Sequence, residues 1–213
     1  MNKTTFAACQ ASYDRVAAEY ARRIYDELQH KLLDRQLLEQ LVERVGPLGP
    51  ICDLGCGPGQ VARYLHERGA AVLGVDLSPA MVEMAQRLNP GLSFHQANLL
   101  ALPFTDERWG GIAAFYSLIH IPHSDLPAAL DECRRLLRPG GWLLAAFHCG
   151  EQVVHLDEWW GKAVDVDFYF FQPAALMAHL DQAGFVELEL AERDFYPAVE
   201  AQTRRGYLFA RKP

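Results

Sequence analysis

The sequence predicts an α/β fold, doubly wound about a mainly parallel sheet, with helices on both faces and a helical cap at the N-terminus. Three observations predict it. Short apolar runs alternate with amphipathic stretches from Ile51 onward. A glycine turn, Gly55-Cys56-Gly57-Pro58-Gly59, joins the first run to a helix, and an acid, Asp76, ends the second run. Strand, tight turn and helix in this order put glycine where the backbone must bend sharply or approach a ligand. Asp76 lies 21 positions beyond Gly55. In a βαβ unit that acid sits beside the glycine turn, placed to accept hydrogen bonds from ribose hydroxyls. The pattern points to a nucleoside-containing cofactor.

In chain order, Ser12 is placed to cap a first helix whose apolar positions are Val16, Ala17, Tyr20, Ile24 and Leu28. A second periodic stretch carries Leu37, Leu38, Leu41, Val42 and Val45 and ends at Gly46-Pro47. Together they make a cap, residues 1–46, expected to cover one end of the sheet. After the first strand, Gln60 to Glu67 reads as a helix with Val61, Tyr64 and Leu65 inward and Gly69 as its stop. Ala71 to Val75 is the second strand. The next helix has Ser78 as N-cap, Pro79 at its first position and Asn89-Pro90-Gly91 as its end.

Leu92 to Gln96 and Gly111 to Phe115 read as the third and fourth strands. Asp125 to Leu137 is a helix with Leu130, Cys133 and Leu137 inward, broken at Arg138-Pro139-Gly140-Gly141. Trp142 to Phe147 is nearly all apolar, as a strand buried on both faces must be. His148 to Phe171 interrupts the rhythm, mixing Glu151, Asp157, Glu158, Asp165 and Asp167 with Trp159, Trp160 and Phe168 to Phe171. Its place after the fifth strand, where a cleft would open, predicts a substrate lid over residues 148–171. Pro173 to Gln182 is the last helix, and Phe185 to Ala191 and Tyr207 to Arg211 are the last strands. With no repeat and no linker, residues 1–213 read as a single domain.

The formal charge of −7 offers no basic footprint for a nucleic-acid backbone. No run approaches membrane-spanning length, and Met1 to Gln10 does not resemble a signal peptide. The cysteines Cys9, Cys52, Cys56, Cys133 and Cys149 are odd in number and lack metal-ligand spacing. They read as small buried hydrophobes in a reducing cytosol, so a cytoplasmic protein without a resident metal is expected.

Gly55-x-Gly57-x-Gly59 is shorter than the Gly-x-Gly-x-x-Gly of a dinucleotide turn. S-adenosylmethionine has no phosphate, and presents a carboxylate, an ammonium and a sulfonium beside its nucleoside. Helix amides can meet the carboxylate, and Asp53 is near enough to reach the ammonium or an ordered water. Asp53-Leu54-Gly55-Cys56-Gly57-Pro58-Gly59, Val75-Asp76-Leu77-Ser78-Pro79-x-Met81 and Leu137-Arg138-Pro139-Gly140-Gly141 resemble the ordered motifs of class I S-adenosylmethionine-dependent methyltransferases of the small-molecule type.

The resemblance implies a seven-stranded sheet with an antiparallel last strand and the cofactor across the carboxyl ends of the first strands. It assigns Asp53, Gly55, Cys56, Gly57, Gly59, Asp76, Leu77 and Met81 to the cofactor, with Asn98 and Leu99 near the adenine. Asn98 stands where many relatives have Asp, and its carbonyl still accepts from the adenine amino group. By the same resemblance Tyr116 and Ser117 lie near the methionine part, His120 near the mouth, and Tyr13 and Tyr20 on a helix closing over the cofactor. Packing alone also explains Tyr13, Tyr20 and Met81.

The implied reaction is methyl transfer to an O, N or C nucleophile of a small-molecule acceptor. A general base is needed only where the acceptor holds its proton at neutral pH, and His120, His148 and Glu151 are the candidates. Three alternatives remain at this point: a non-catalytic module that binds the same cofactor, a nicotinamide- or flavin-dependent oxidoreductase, and a methyltransferase acting on a protein or tRNA, against whose tRNA form the acidic balance and small size argue.

Overall fold

In the computed structural model, which describes residues 5–197 and 199–213, two helices precede the sheet: α1 (Phe6–Ile24) and α2 (Leu32–Val45). Then come β1 (Ile51–Leu54), α3 (Gln60–Glu67), β2 (Val72–Asp76), α4 (Pro79–Leu88), β3 (Ser93–Gln96) and β4 (Trp109–Phe115). After these follow α5 (Leu126–Leu136), β5 (Leu137–His148), a hairpin of β6 (Val153–Trp159) and β7 (Lys162–Tyr169), α6 (Pro173–Gln182), β8 (Val186–Arg193) and β9 (Arg205–Arg211). Seven strands form one sheet in the order β3-β2-β1-β4-β5-β9-β8, and β9 is antiparallel to both its neighbours. The chain crosses from β3 to the far side of β1 to begin β4. That reversal opens a crevice at the carboxyl ends of β1 and β4, where an open α/β sheet binds its ligands.

The alternation of side chains along β1 divides the core. Cys52 and Leu54 pack with Leu130, Cys133 and Leu180 on one face, while Ile51 packs with Leu38, Leu41 and Leu65 on the other. Complete burial of each such leucine contributes about 1.5–3 kcal/mol. Helix α2 therefore lies on a sheet face, and only α1 covers the sheet end expected of the whole N-terminal segment.

Three local expectations are corrected. Ser12 does not cap α1, because Thr5 does: its hydroxyl accepts from the Ala8 N–H at 3.1 Å. Ser12 sits inside the helix, where its hydroxyl meets the Ala8 carbonyl and accepts from the Asp165 N–H of β7. Leu28 falls in a separate turn, Glu27–His30, after the helix has ended. Arg138 to Gly141 is the start of β5 and not a free turn, since Gly140 N–H donates to Lys212 O and Lys212 N–H to Gly141 O. Pairing with the chain end overrides the local Pro-Gly-Gly signal.

Residues 148–171 fold as the end of β5 followed by the β6–β7 hairpin. Trp160 and Gly161, at φ 54° and 77°, form its two-residue turn, whose left-handed pair matches the twist of the flanking strands. Gly161 is the sequence signal for it. The hairpin packs on α1 through the Ser12–Asp165 contacts and through Lys162 Nζ, which donates to the Arg15 carbonyl at 2.7 Å.

Beneath β9 lies a buried ionic network. Arg193 donates to Glu200 at 2.6 and 2.8 Å and to Asp34 Oδ2 at 2.8 Å, and Lys31 pairs with Glu200 at 3.1 Å. Tyr207 donates to the same Asp34 oxygen at 2.9 Å and meets the Tyr116 hydroxyl at 3.2 Å. The tail charges are thus a buried Glu–Arg cluster. Truncating one partner strands the others without water. Arg193→Met should cost about 3–5 kcal/mol in urea unfolding, and a loss below about 1 kcal/mol would show that Asp34 and Glu200 are satisfied elsewhere.

Candidate functional site

One continuous cavity runs along the carboxyl ends of β3, β2, β1 and β4, about 960 Å³ including its open mouth. Its floor is the glycine turn. Gly55 and Cys56 N–H groups both donate to the Val75 carbonyl, at 2.7 and 2.9 Å, tying the end of β1 to that of β2. Gly55, at φ 74°, tolerates no side chain: an added Cβ would sit 2.3 Å from that of Ser117. Gly57, at φ 50°, faces open space, its nearest neighbours being the Tyr20 ring and Gln60 Oε1.

Asp76 ends β2 beside this turn. Its Oδ2 accepts from the Gly57 N–H and its Oδ1 from the Ser78 N–H, each at 2.8 Å, leaving the outer lone pairs toward the cavity. Burial pushes its pKa up to about 6, against the pull of those two N–H groups. The Ser78 hydroxyl caps α4 on Met81 N–H and donates to Asp14 of α1 at 2.5 Å.

Of the residues expected at the site, Tyr13, Tyr20, Gly55, Gly57, Asp76, Leu77, Asn98, Leu99, Tyr116, Ser117 and His120 line this cavity together. Asn98 Oδ1 accepts from the Leu100 N–H at 2.9 Å, so its carbonyl already holds its own loop. Tyr116 stands at φ 55°, a conformation unusual for a side chain of its size, with Lys31 and Arg205 over its ring at 5.7 and 5.4 Å.

The structure puts the other expected residues elsewhere. Asp53 is 1% exposed, and its Oδ2 accepts from the Ala62 N–H at 2.8 Å. It anchors the first turn of α3 from below the glycines and does not reach the cavity surface. Cys56 is buried against Gly74, Gly59 packs toward Asn89 and Phe94, and Met81 is sealed between α4 and α1 with Val16 and Ala17. Glu151 is exposed and accepts from Gln172, so it faces away from the cavity. His148 is set back behind Tyr116, stacked on Phe170, with Nδ1 meeting Thr203 and Arg205. Burial and the Arg205 charge pull its pKa down to about 3.

His120 is the histidine on the cavity wall. Its Nδ1 lies 3.1 Å from the Asp167 carbonyl, an acceptor only, so Nδ1 carries the proton and Nε2 accepts from the Tyr13 hydroxyl at 2.7 Å. Burial lowers its pKa to about 4, which keeps it neutral at pH 7. His123 turns to the Phe170 carbonyl instead.

Two cavity groups, Gln60 and Glu27, and one residue behind the wall, Asp14, have no assigned role in the sequence. Asp14 belongs to the Tyr13-Asp14 pair but had no assigned role. Gln60 follows Gly59 directly, a position that opens α3 onto the turn. Glu27 sits in the isolated turn after α1, where no periodicity marks it. Two buried acceptors on the cavity wall, Gln60 Oε1 and Ser117 Oγ, lack a partner among the described residues.

Residues 51–141 match the model of a family described as a methyltransferase domain. The stretch that carries the glycine turn and Asp76 is thus similar to a methyltransferase domain. The chain is similar to malonyl-[acyl-carrier protein] O-methyltransferase of Pseudescherichia vulneris, 32% identical over 156 residues that cover 70% of this chain and 59% of that protein. The chain spans 42% to 62% of the length of the curated relatives it matches most strongly. Among solved structures the chain is similar to a DhpI–SAH complex, with TM-score 0.73 at 20% identity, covering 100% of this chain and 98% of that one. It is also similar to the [4+2]-cyclase SpnF, with TM-score 0.63 at 21% identity, covering 84% and 80%. Those likenesses show the methyltransferase-type fold, which by itself does not name a reaction.

Asp53 yields a pH test of the floor. Burial raises its pKa from 3.8 to about 7, with the Ala62 N–H opposing and the Asp76 charge adding. The folded state therefore holds this proton more tightly than the unfolded chain. The stability so contributed is full below about pH 4 and is lost as the pH rises through about 7. Asp53→Asn keeps an acceptor for Ala62 without the charge. It should show a smaller fall in urea stability between pH 4 and pH 7.5 than the wild type, and an identical fall would place the buried charge elsewhere.

Proposed function

We propose that the protein transfers a methyl group from S-adenosylmethionine to an O, N or C nucleophile of a small-molecule acceptor. The observation that carries this reading is Asp76 locked beside the glycine turn at the centre of one cavity, with Asn98 and Leu99 to one side and Tyr116 and Ser117 to the other. That order fits the cofactor from adenine through ribose to its methionyl end. The orphaned Gln60 Oε1 and Ser117 Oγ fit its polar end, and the curated relatives carry methyltransferase names. The bound cofactor supplies an activated methyl on its sulfonium, so alignment of donor and acceptor provides most of the acceleration.

The chain's own part is to hold that alignment and to receive a proton where the acceptor has one. Asp76 takes the ribose hydroxyls on its outer lone pairs. His120, neutral and fixed by the Asp167 carbonyl, presents Nε2 through the Tyr13 hydroxyl as the proton acceptor. The β6–β7 hairpin and α1 act as the lid, with Tyr13, Tyr20 and Trp159 in mutual edge contact. The negative net charge supports a small molecule and not a nucleic acid as partner. We place the protein in the cytoplasm on its reduced, unpatterned cysteines; no described helix is long and apolar enough to cross a membrane.

Calorimetry tests the reading: S-adenosylhomocysteine should bind and NADH should not, and the reverse would overturn it. Asp76→Ala should weaken that binding by about 1.5–3 kcal/mol, since charge-assisted hydrogen bonds are lost. An unchanged affinity would mean that the ribose is held elsewhere. Labelled-methyl screening of a metabolite library then separates an enzyme from a binding module that never turns over. On a protonated acceptor, His120→Gln should lower kcat by about 10²- to 10⁴-fold with S-adenosylhomocysteine affinity kept. The acid limb of the wild-type kcat/KM profile should lie near 4 and not 6.5, because protonation of His120 removes the base. A profile falling at 6.5, or an unaffected rate in the variant, would remove His120 from the chemistry.

A further inference from the structure

Where the cavity reaches the ends of β1 and β4, its wall is built from acceptors. Gln60 is 8% exposed, and its Nε2 points to Glu27 Oε1 at 3.4 Å. Flipping the amide would set two oxygens against each other, so the network fixes the nitrogen toward Glu27 and Oε1 toward the space above Gly57. There Oε1 is buried with no partner among the described residues, and it lies 3.9 Å from the position of a Cβ on Gly57. The Tyr20 ring closes the same spot at 3.7 Å. A buried carbonyl left without a donor forfeits its hydration with no return, so a donor is what this place lacks.

Glu27 supplies a charge to match. It lines the cavity, yet its other oxygen is held by Lys31 Nζ at 2.6 Å. Lys31 is itself buried and paired with Glu200 at 3.1 Å. Burial pulls its pKa down, but Glu27 and Glu200 outweigh that and raise it. Lys31 therefore stays charged and holds the Glu27 carboxyl in place from the side away from Gln60. Through Glu200, Arg193, Asp34 and Tyr207 the same network returns to the cavity wall at Tyr116.

We propose that Glu27 and Gln60 form a recognition site for a primary ammonium, positioned by Lys31, at the β1–β4 end of the cavity. An ammonium on a tetrahedral carbon carries several N–H donors, and Gln60 Oε1 and Glu27 Oε1 offer it two converging acceptors beside an aromatic ring. The proposal rests on the cofactor reading above and names its ligand group: the α-ammonium of the methionyl part. Strand order makes the assignment, because adenine at the β3 end and ribose at Asp76 of β2 leave the amino-acid end for β1 and β4.

The test is calorimetry of the full chain with S-adenosylhomocysteine and with its deaminated analogue, 4-(5′-adenosylthio)butyrate, which keeps the nucleoside, thioether and carboxylate. Wild type should bind the parent at least tenfold more tightly. Gln60→Leu and Glu27→Gln should each weaken the parent at least tenfold and leave the analogue within twofold, which also reports that both variants are folded. Equal weakening of the two ligands, or an unchanged parent affinity, would overturn the ammonium site while leaving the cofactor reading standing. Failure of the wild type to bind either ligand would overturn both.

Discussion

One carboxylate holds the site together. Asp76 accepts from Gly57 N–H with one oxygen and from Ser78 N–H with the other, so the turn after β1 and the first turn of α4 share a single anchor. Ser78 then passes the tie to Asp14, and α1 is drawn down over the cavity. Floor, wall and cover thus depend on one side chain at a strand end. Its outer lone pairs are the part left for a ligand. Because its charge is disfavoured by burial and supported by backbone N–H groups, its environment is poised for further hydrogen-bond donors.

The N-terminal segment up to Val45 does more than cover. Helix α1 closes the cavity through Tyr13, Tyr20 and the cap at Asp14, and the hairpin binds to α1 through Ser12 and Lys162. Helix α2 is a sheet layer whose Asp34 reaches the tail of the chain. The turn between the two helices carries both Glu27, on the cavity, and the approach to Lys31, in the ionic network. A segment between cover and core is therefore where the cavity wall and the buried charges meet.

The parts legible in the sequence were those with a local physical cause. Glycines at positive φ, the Ser78-Pro79 helix start and the apolar fifth strand each declare themselves in a few residues. Long-range pairing was not legible. Arg138 to Gly141 reads as a turn until Lys212 pairs with it, and Ser12 reads as a cap until β7 claims its hydroxyl. At the site, motif residues such as Asp53 and Cys56 stand in the glycine stretch but face the interior: Asp53 turns under the first turn of α3 to meet the Ala62 N–H, and Cys56 packs against Gly74 of β2. Glu27 and Gln60 line the cavity from outside any motif, so only the fold could join them.

The central claim is that strand order sets the ligand's direction along the cavity. A crystal structure with S-adenosylhomocysteine tests it most directly. The account predicts adenine against Asn98 and Leu99, ribose hydroxyls on Asp76, and the thioether sulfur toward Ser117. It also predicts the amino-acid end between Tyr20 and Gln60. Adenine found beside Tyr116, or a ligand that leaves Asp76 untouched, would contradict it.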